Sequence, residues 1–285
     1  MRALLPLISL LAIAPMTIGA SAPPLKIAGT TAVVYKTVGE TTLFLYVFNP
    51  KDHQQSDERP AVVFFFGGGW NGGTPTQFEH HCRHLASRGM VAIVADYRVK
   101  SRHGTTPKEC VMDGKSAIRW VRSNATKLGI DPNRIAAGGG SAGGHVAAAT
   151  GTVVGLEEPR EDIRVSSQPN ALLLFNPVYD NGPSGYGHSR VKDVYPQISP
   201  MHNIKKDTPP TIVFFGTKDS LVPVATAKDY KRRMETVGRR CDLHLYDGQP
   251  HGFFNYGNQK YYLDTVEKMD KFLVSLNYIK AEPGK

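Results

Sequence analysis

Residues 138–144 read Gly-Gly-Gly-Ser-Ala-Gly-Gly, and this run constrains the chain more than any other. It follows a short strand-like segment, Arg134 to Gly138, and opens an alanine-rich helical one. Gly139 to Gly143 has the form G-x-S-x-G, with Ser141 at its centre. A serine held at a sharp strand-to-helix turn forces backbone segments close together, and flanking glycines permit the approach. The helix start then supplies partial positive charge beside the hydroxyl. A phosphate loop would carry lysine after its glycines, and none follows here. A dinucleotide fingerprint would follow the first strand, whereas this run lies mid-chain. On this segment alone a plain glycine-rich turn stays open.

The surrounding pattern decides the class. Apolar or β-branched runs at 31–35, 41–48, 61–66, 91–95, 134–138, 171–175, 211–215 and 242–246 read as strands, the first two as a hairpin around Gly39 and Glu40. Helical stripes fall between them, at Phe78, Cys82 and Leu85; at Val111, Ile118, Val121 and Ala125; at Ala227, Tyr230, Met234 and Val237; and at Tyr262, Val266, Met269, Leu273 and Leu276. Alternating β and α segments with continuously apolar strands predict an α/β fold, a mostly parallel sheet of about eight strands with helices on both faces. With no internal repeat and no linker, residues 23–285 are expected to form one domain.

Residues 1–22 stand apart. Met1 and Arg2 precede an almost wholly apolar stretch from Ala3 to Ile18, and Ala20, Ser21 and Ala22 offer small residues for cleavage. This is the pattern of a secretory signal peptide, too short and too proline-broken for a membrane span. The mature chain is therefore expected to be soluble and secreted or periplasmic. In such a compartment two of Cys82, Cys110 and Cys241 could bridge. Cys82 with Cys110 is the favoured pair, set against a buried thiol at Cys82. No CxxC or histidine-rich spacing suggests a metal, and no cofactor is expected. Lys and Arg exceed Asp and Glu by 34 to 25, a formal charge of +9, but the cations are scattered and form no nucleic-acid motif. No nucleic-acid partner and no stable membrane insertion are expected. Oligomeric state is not legible.

A nucleophilic serine needs a base and an acid that orients it. Asp219 follows the run Phe215-Gly216-Thr217-Lys218, just beyond an apolar strand, and His251 lies in the loop after the last strand. Both are at strand ends, where such sites gather. A turn-capping role for Asp219 and a surface-loop role for His251 are the plainer readings. His244 and Asp247 are the rivals, the first inside a strand and the second too near His251 to come from a separate strand end. Gly67, Gly68 and Gly69 follow the phenylalanine-rich strand. The backbone N–H groups of Gly68, Gly69 and Ala142 are the expected donors to a developing oxyanion. Trp70, directly after the glycines, is expected to contact substrate.

The chain resembles the α/β-hydrolase superfamily, on the side of hormone-sensitive-lipase-like and small carbohydrate esterases, over roughly residues 61–276. FGGGW at 66–70, ADYR at 95–98, the approach Asp131-Pro132-Asn133-Arg134-Ile135, PPTIVFFGTKDSLVP at 209–223 and PHGF at 250–253 carry the resemblance. It implies the Ser141, Asp219 and His251 triad and a serine esterase. Two positions depart from the lipase-like pattern: Phe66 stands where histidine is usual, and Gly140 where aspartate is usual. By analogy these bring the chain nearer to secreted acetyl xylan and feruloyl esterases. The segment between Asn176-Pro177 and Pro209-Pro210 is short and has no long apolar helix, so no large lid is expected. A small serine peptidase and a non-catalytic binding protein of the same fold are the alternatives.

Overall fold

The computed structural model describes residues 25–282, so the expected leader at 1–22 lies outside the described residues. In chain order the elements are β1 (Thr31–Val38), β2 (Thr41–Phe48), β3 (Arg59–Phe65), α1 (Glu79–Ser87), β4 (Val91–Ala95), α2 (Lys100–His103), α3 (Pro107–Ser123), β5 (Ile130–Gly140), α4 (Ala142–Thr152), β6 (Ala171–Phe175), α5 (Tyr195–Ile198), β7 (Thr211–Gly216), α6 (Val224–Thr236), β8 (Cys241–Tyr246) and α7 (Gln259–Ser275). One eight-stranded sheet has the order β1-β2-β4-β3-β5-β6-β7-β8. The β1–β2 hairpin joins antiparallel on β4, and every later pairing is parallel. β5 is longer than its apolar core suggests, because Ile130 pairs with Arg59 of β3 across a register shift.

Strand alternation divides the interior into two layers. Val63 and Phe65 point into the layer closed by α3, α4 and α6, where Ile118, Val146 and Tyr230 meet them. Val62 and Phe64 point to the other, with Cys82 and Leu85 of α1 and Met269 and Leu273 of α7. The sheet thus stands between Cys82 and Cys110. All three cysteines are free and buried, so the favoured Cys82–Cys110 bridge gives way to two separate core thiols. Residues 178–208 contain only short helical turns. Among the described residues, no helix is long and apolar enough to cross a membrane.

Candidate active site

β5 ends at Gly140 and α4 begins at Ala142, leaving Ser141 alone at the turn with φ 55° and ψ −120°. A non-glycine residue in this region is strained by about 1–3 kcal/mol. The surroundings hold it there: the Ser141 N–H donates to the Phe175 carbonyl at 3.0 Å, and its carbonyl accepts from Val178 at 3.2 Å and His145 at 3.0 Å. Gly143 shows why this turn needs its glycines. A Cβ at that position would lie 2.1 Å from the Phe65 oxygen and 2.3 Å from the Phe66 oxygen, both backbone atoms. Gly143→Ala is therefore expected to lose about 3 kcal/mol of stability together with activity, read by denaturant unfolding and an ester assay. The same packing accounts for Gly140, since a side chain there would run into Phe254 at 2.5 Å. Phe66 is likewise internal: its ring stacks on Tyr97 at 4.2 Å.

The loops after β7 and β8 bring the other two groups to the serine. His251 Nε2 is 2.8 Å from Ser141 Oγ, and His251 Nδ1 is 2.7 Å from Asp219 Oδ2. The second Asp219 oxygen accepts from the N–H groups of Leu221 and Val222, each at 2.9 Å, and this side chain is fully buried. Such an acceptor at Nδ1 selects the tautomer with the proton there, leaving Nε2 able to take the serine proton. The two loops are tied together: Thr217 N–H donates to the Tyr246 carbonyl and Lys218 N–H to that of Gln249, both at 3.0 Å. The rivals lie elsewhere. Asp247 accepts from the Thr217 hydroxyl at 3.1 Å, and His244 stacks on Phe214 at 5.5 Å.

A cleft of 380 Å³ opens over Ser141 and His251, with Gly67, Gly68 and Gly69 along one wall. Gly68 has φ +124°, and a Cβ on it would meet the Gly72 oxygen at 2.3 Å, so the loop's path depends on glycine there. The Gly67 N–H is already engaged by Gln77 Oε1 at 2.6 Å. Gly68 and Gly69 continue along the cleft, and Ala142 opens α4 beside the serine. Trp70 requires a correction. It is 1% exposed and does not line this cleft; its indole packs edge-on against His145 at 5.0 Å, beneath the loop.

Sequence reasoning did not single out several lining residues. Gln77 also donates to Asn255 Oδ1 at 3.0 Å, bracing the glycine wall against the histidine loop. Asn176 accepts from the Gly252 N–H at 2.9 Å and places its amide nitrogen 3.5 Å from His251 Nε2. Its position directly after β6, at a strand C-terminal end, was the available signal. Tyr186 and Arg190 reach the cleft from the short 178–208 segment, which no periodicity marks.

This geometry agrees with what the chain is similar to. Residues 45–177 match the BD-FAE family model and residues 185–277 the dienelactone hydrolase family model. Esterase LipC of Mycobacterium tuberculosis is 30% identical over 68% of this chain and 53% of its own length. An acetylxylan esterase of Xylanibacter ruminicola is 28% identical over 76% of this chain and 45% of its own. The chain spans about half the length of the curated relatives it matches. Among solved structures, Thermogutta terrifontis esterase 2, phosphorylated by paraoxon, aligns with a TM-score of 0.87 at 45% identity, over 90% of this chain and 98% of that one. The same esterase has been solved with propionate bound. Strand order, the serine turn and near-complete coverage by a solved esterase at this identity have one consequence: the chain belongs to the esterases of the α/β-hydrolase fold.

Proposed function

We propose that this protein is an exported serine esterase that hydrolyses short-chain carboxylic esters, with acetyl or feruloyl groups on plant-type polysaccharides or oligosaccharides as its substrates. The observation that carries the chemistry is the hydrogen-bonded chain from Ser141 Oγ through His251 to Asp219 at the cleft floor. Ser141 Oγ attacks the ester carbonyl while His251 Nε2 takes its proton. The carbonyl oxygen becomes an oxyanion facing the N–H groups of Gly68, Gly69 and Ala142. His251 returns the proton to the leaving alcohol as the C–O bond breaks. Water then repeats the sequence on the acyl-serine, releasing the acid and restoring the hydroxyl. Paraoxon captures the solved relative covalently, which supports the same reactivity here, and the acetylxylan esterase similarity supports the carbohydrate substrate. Treatment with paraoxon should inactivate the enzyme and place one phosphoryl adduct on Ser141 in a peptide map. Unmodified Ser141 in an active, treated enzyme contradicts the assignment. Export is supported by the apolar 3–18 stretch and is tested by N-terminal sequencing of protein recovered outside the cytoplasm.

The cleft limits the acyl chain. Its apolar lining is confined to side chains such as Leu221 and Phe254, and the 178–208 segment adds no apolar helix. p-Nitrophenyl acetate to butyrate should be hydrolysed at least about tenfold faster than the octanoate, with no activation at a lipid interface. A maximum on long-chain emulsions contradicts this, and acetate release from acetylated xylan tests the carbohydrate part.

A further inference from the structure

Arg190 forms part of the wall between two adjoining cavities. One is the cleft over Ser141; the other, of 220 Å³, is bounded by Trp70, Lys100 and the 104–107 turn. Among the described residues, neither lining contains an aspartate or glutamate. The nearest acid of the turn, Glu109, is occupied by the N–H and hydroxyl of Thr106 in the cap of α3. Among the described residues, neither Arg190 nor Lys100 forms an ion pair, although other arginines of this chain do. Aromatic faces and one carbonyl hold Arg190 in place of a counterion. Its guanidinium lies 5.2 Å from the Trp70 ring and 5.4 Å from the Tyr186 ring, and donates to the Gly69 oxygen. Stacking of this kind orients a guanidinium without neutralising it. Among the described residues one of its five N–H donors is used, by Gly69, and the others remain for an acceptor.

We propose that the cleft selects esters that themselves carry a carboxylate, received by Arg190 with Lys100 adding a second positive charge. This rests on the esterase reading above and specifies its substrate class. The carboxylate can belong to the acyl group, as in a monoester of a dicarboxylic acid, or to the alcohol, as in an acylated uronate sugar. Both present a planar anion that matches the arginine fork.

Two substrate pairs test it on the whole enzyme: mono-4-nitrophenyl succinate against its methyl ester, and an O-acetylated methyl glucuronoside against the corresponding glucoside. In at least one pair kcat/KM should favour the anion by about tenfold at low salt, with the preference shrinking as salt is raised. The pair that responds identifies the side of the ester. Arg190→Gln should bring that ratio close to one, Arg190→Lys should retain part of it, and Lys100→Gln should lower it less. The ratio is the readout because Arg190 also touches Gly69, and its loss can slow both members of a pair together. A ratio at or below one in both pairs, or one that Arg190→Gln leaves unchanged, overturns the proposal. If no ester of either kind is cleaved, the esterase reading has failed instead. Titration calorimetry of monomethyl succinate or methyl glucuronoside into the Ser141→Ala protein and into the same protein carrying Arg190→Gln then decides the anion site separately: binding lost with Arg190 supports it, and equal or no binding overturns it.

Discussion

Replacing Ser141 with alanine is expected to leave the circular dichroism spectrum unchanged and to lower kcat/KM for p-nitrophenyl acetate by roughly 10⁴–10⁶-fold. Alanine can follow the same backbone, and the loss is the nucleophile itself. His251→Ala should match it, because the two groups act as one unit and removing either removes both. Asp219→Asn should retain more activity. The acid only orients the imidazole, and Asn can still accept the Leu221 and Val222 N–H groups with its oxygen. Asp247→Asn is the control. Asp247 touches Thr217 and not the histidine, so its rate should stay within about twofold of the parent. A crippled Asp247→Asn enzyme beside an active Asp219→Asn one would reassign the acid.

The second large effect concerns acid. His81 is fully buried among the rings of Phe78, Phe175 and Tyr262, neither ring nitrogen has a partner among the described residues, and burial pushes its pKa down to about 3. His145 is also fully buried. Burial brings it down to about 4, against the hydrogen bond that His145 Nε2 donates to Asn181 Oδ1 at 2.9 Å, which works in the opposite direction. Both are therefore neutral in the folded protein well below 6.5, where the unfolded chain already binds their protons. Their stability contribution is complete above about pH 6.5 and is lost as pH falls towards 4 and then 3. Each histidine removes about 1.4 kcal/mol per pH unit across that window. His81→Leu should remove its share of the slope, leaving the variant about 2–3 kcal/mol ahead of the parent at pH 4.5 relative to their difference at pH 7. Urea midpoints at the two pH values measure this, and parallel pH profiles for parent and variant would rule it out.

Strand and helix positions were legible because each reports on burial through its own period. The run Ala61 to Phe66 suits a strand covered on both faces, and the structure puts its alternate side chains into two different layers. Ser141, Asp219 and His251 were legible because each stands at a strand end beside turn-forming residues, and a parallel sheet carries such ends to one edge. The glycines around Ser141 were legible for a steric reason that needs no partner to be known.

What lay beyond the sequence depends on which surfaces meet. Trp70 reads as a cleft residue from its neighbours in the chain, yet its loop turns it inward against His145. Cys82 and Cys110 are close in number, but the sheet separates them. Gln77 and Asn255 are far apart in the chain and meet only because the glycine loop and the histidine loop share one rim. Arg190 gives no local signal, since its role comes from a tryptophan 120 positions earlier and from carboxylates absent from the walls around it. Local sterics and periodicity act over a few residues and so are written in the sequence; the direction of a loop side chain, and the charge left uncompensated around it, are settled only when distant segments compete for the same space.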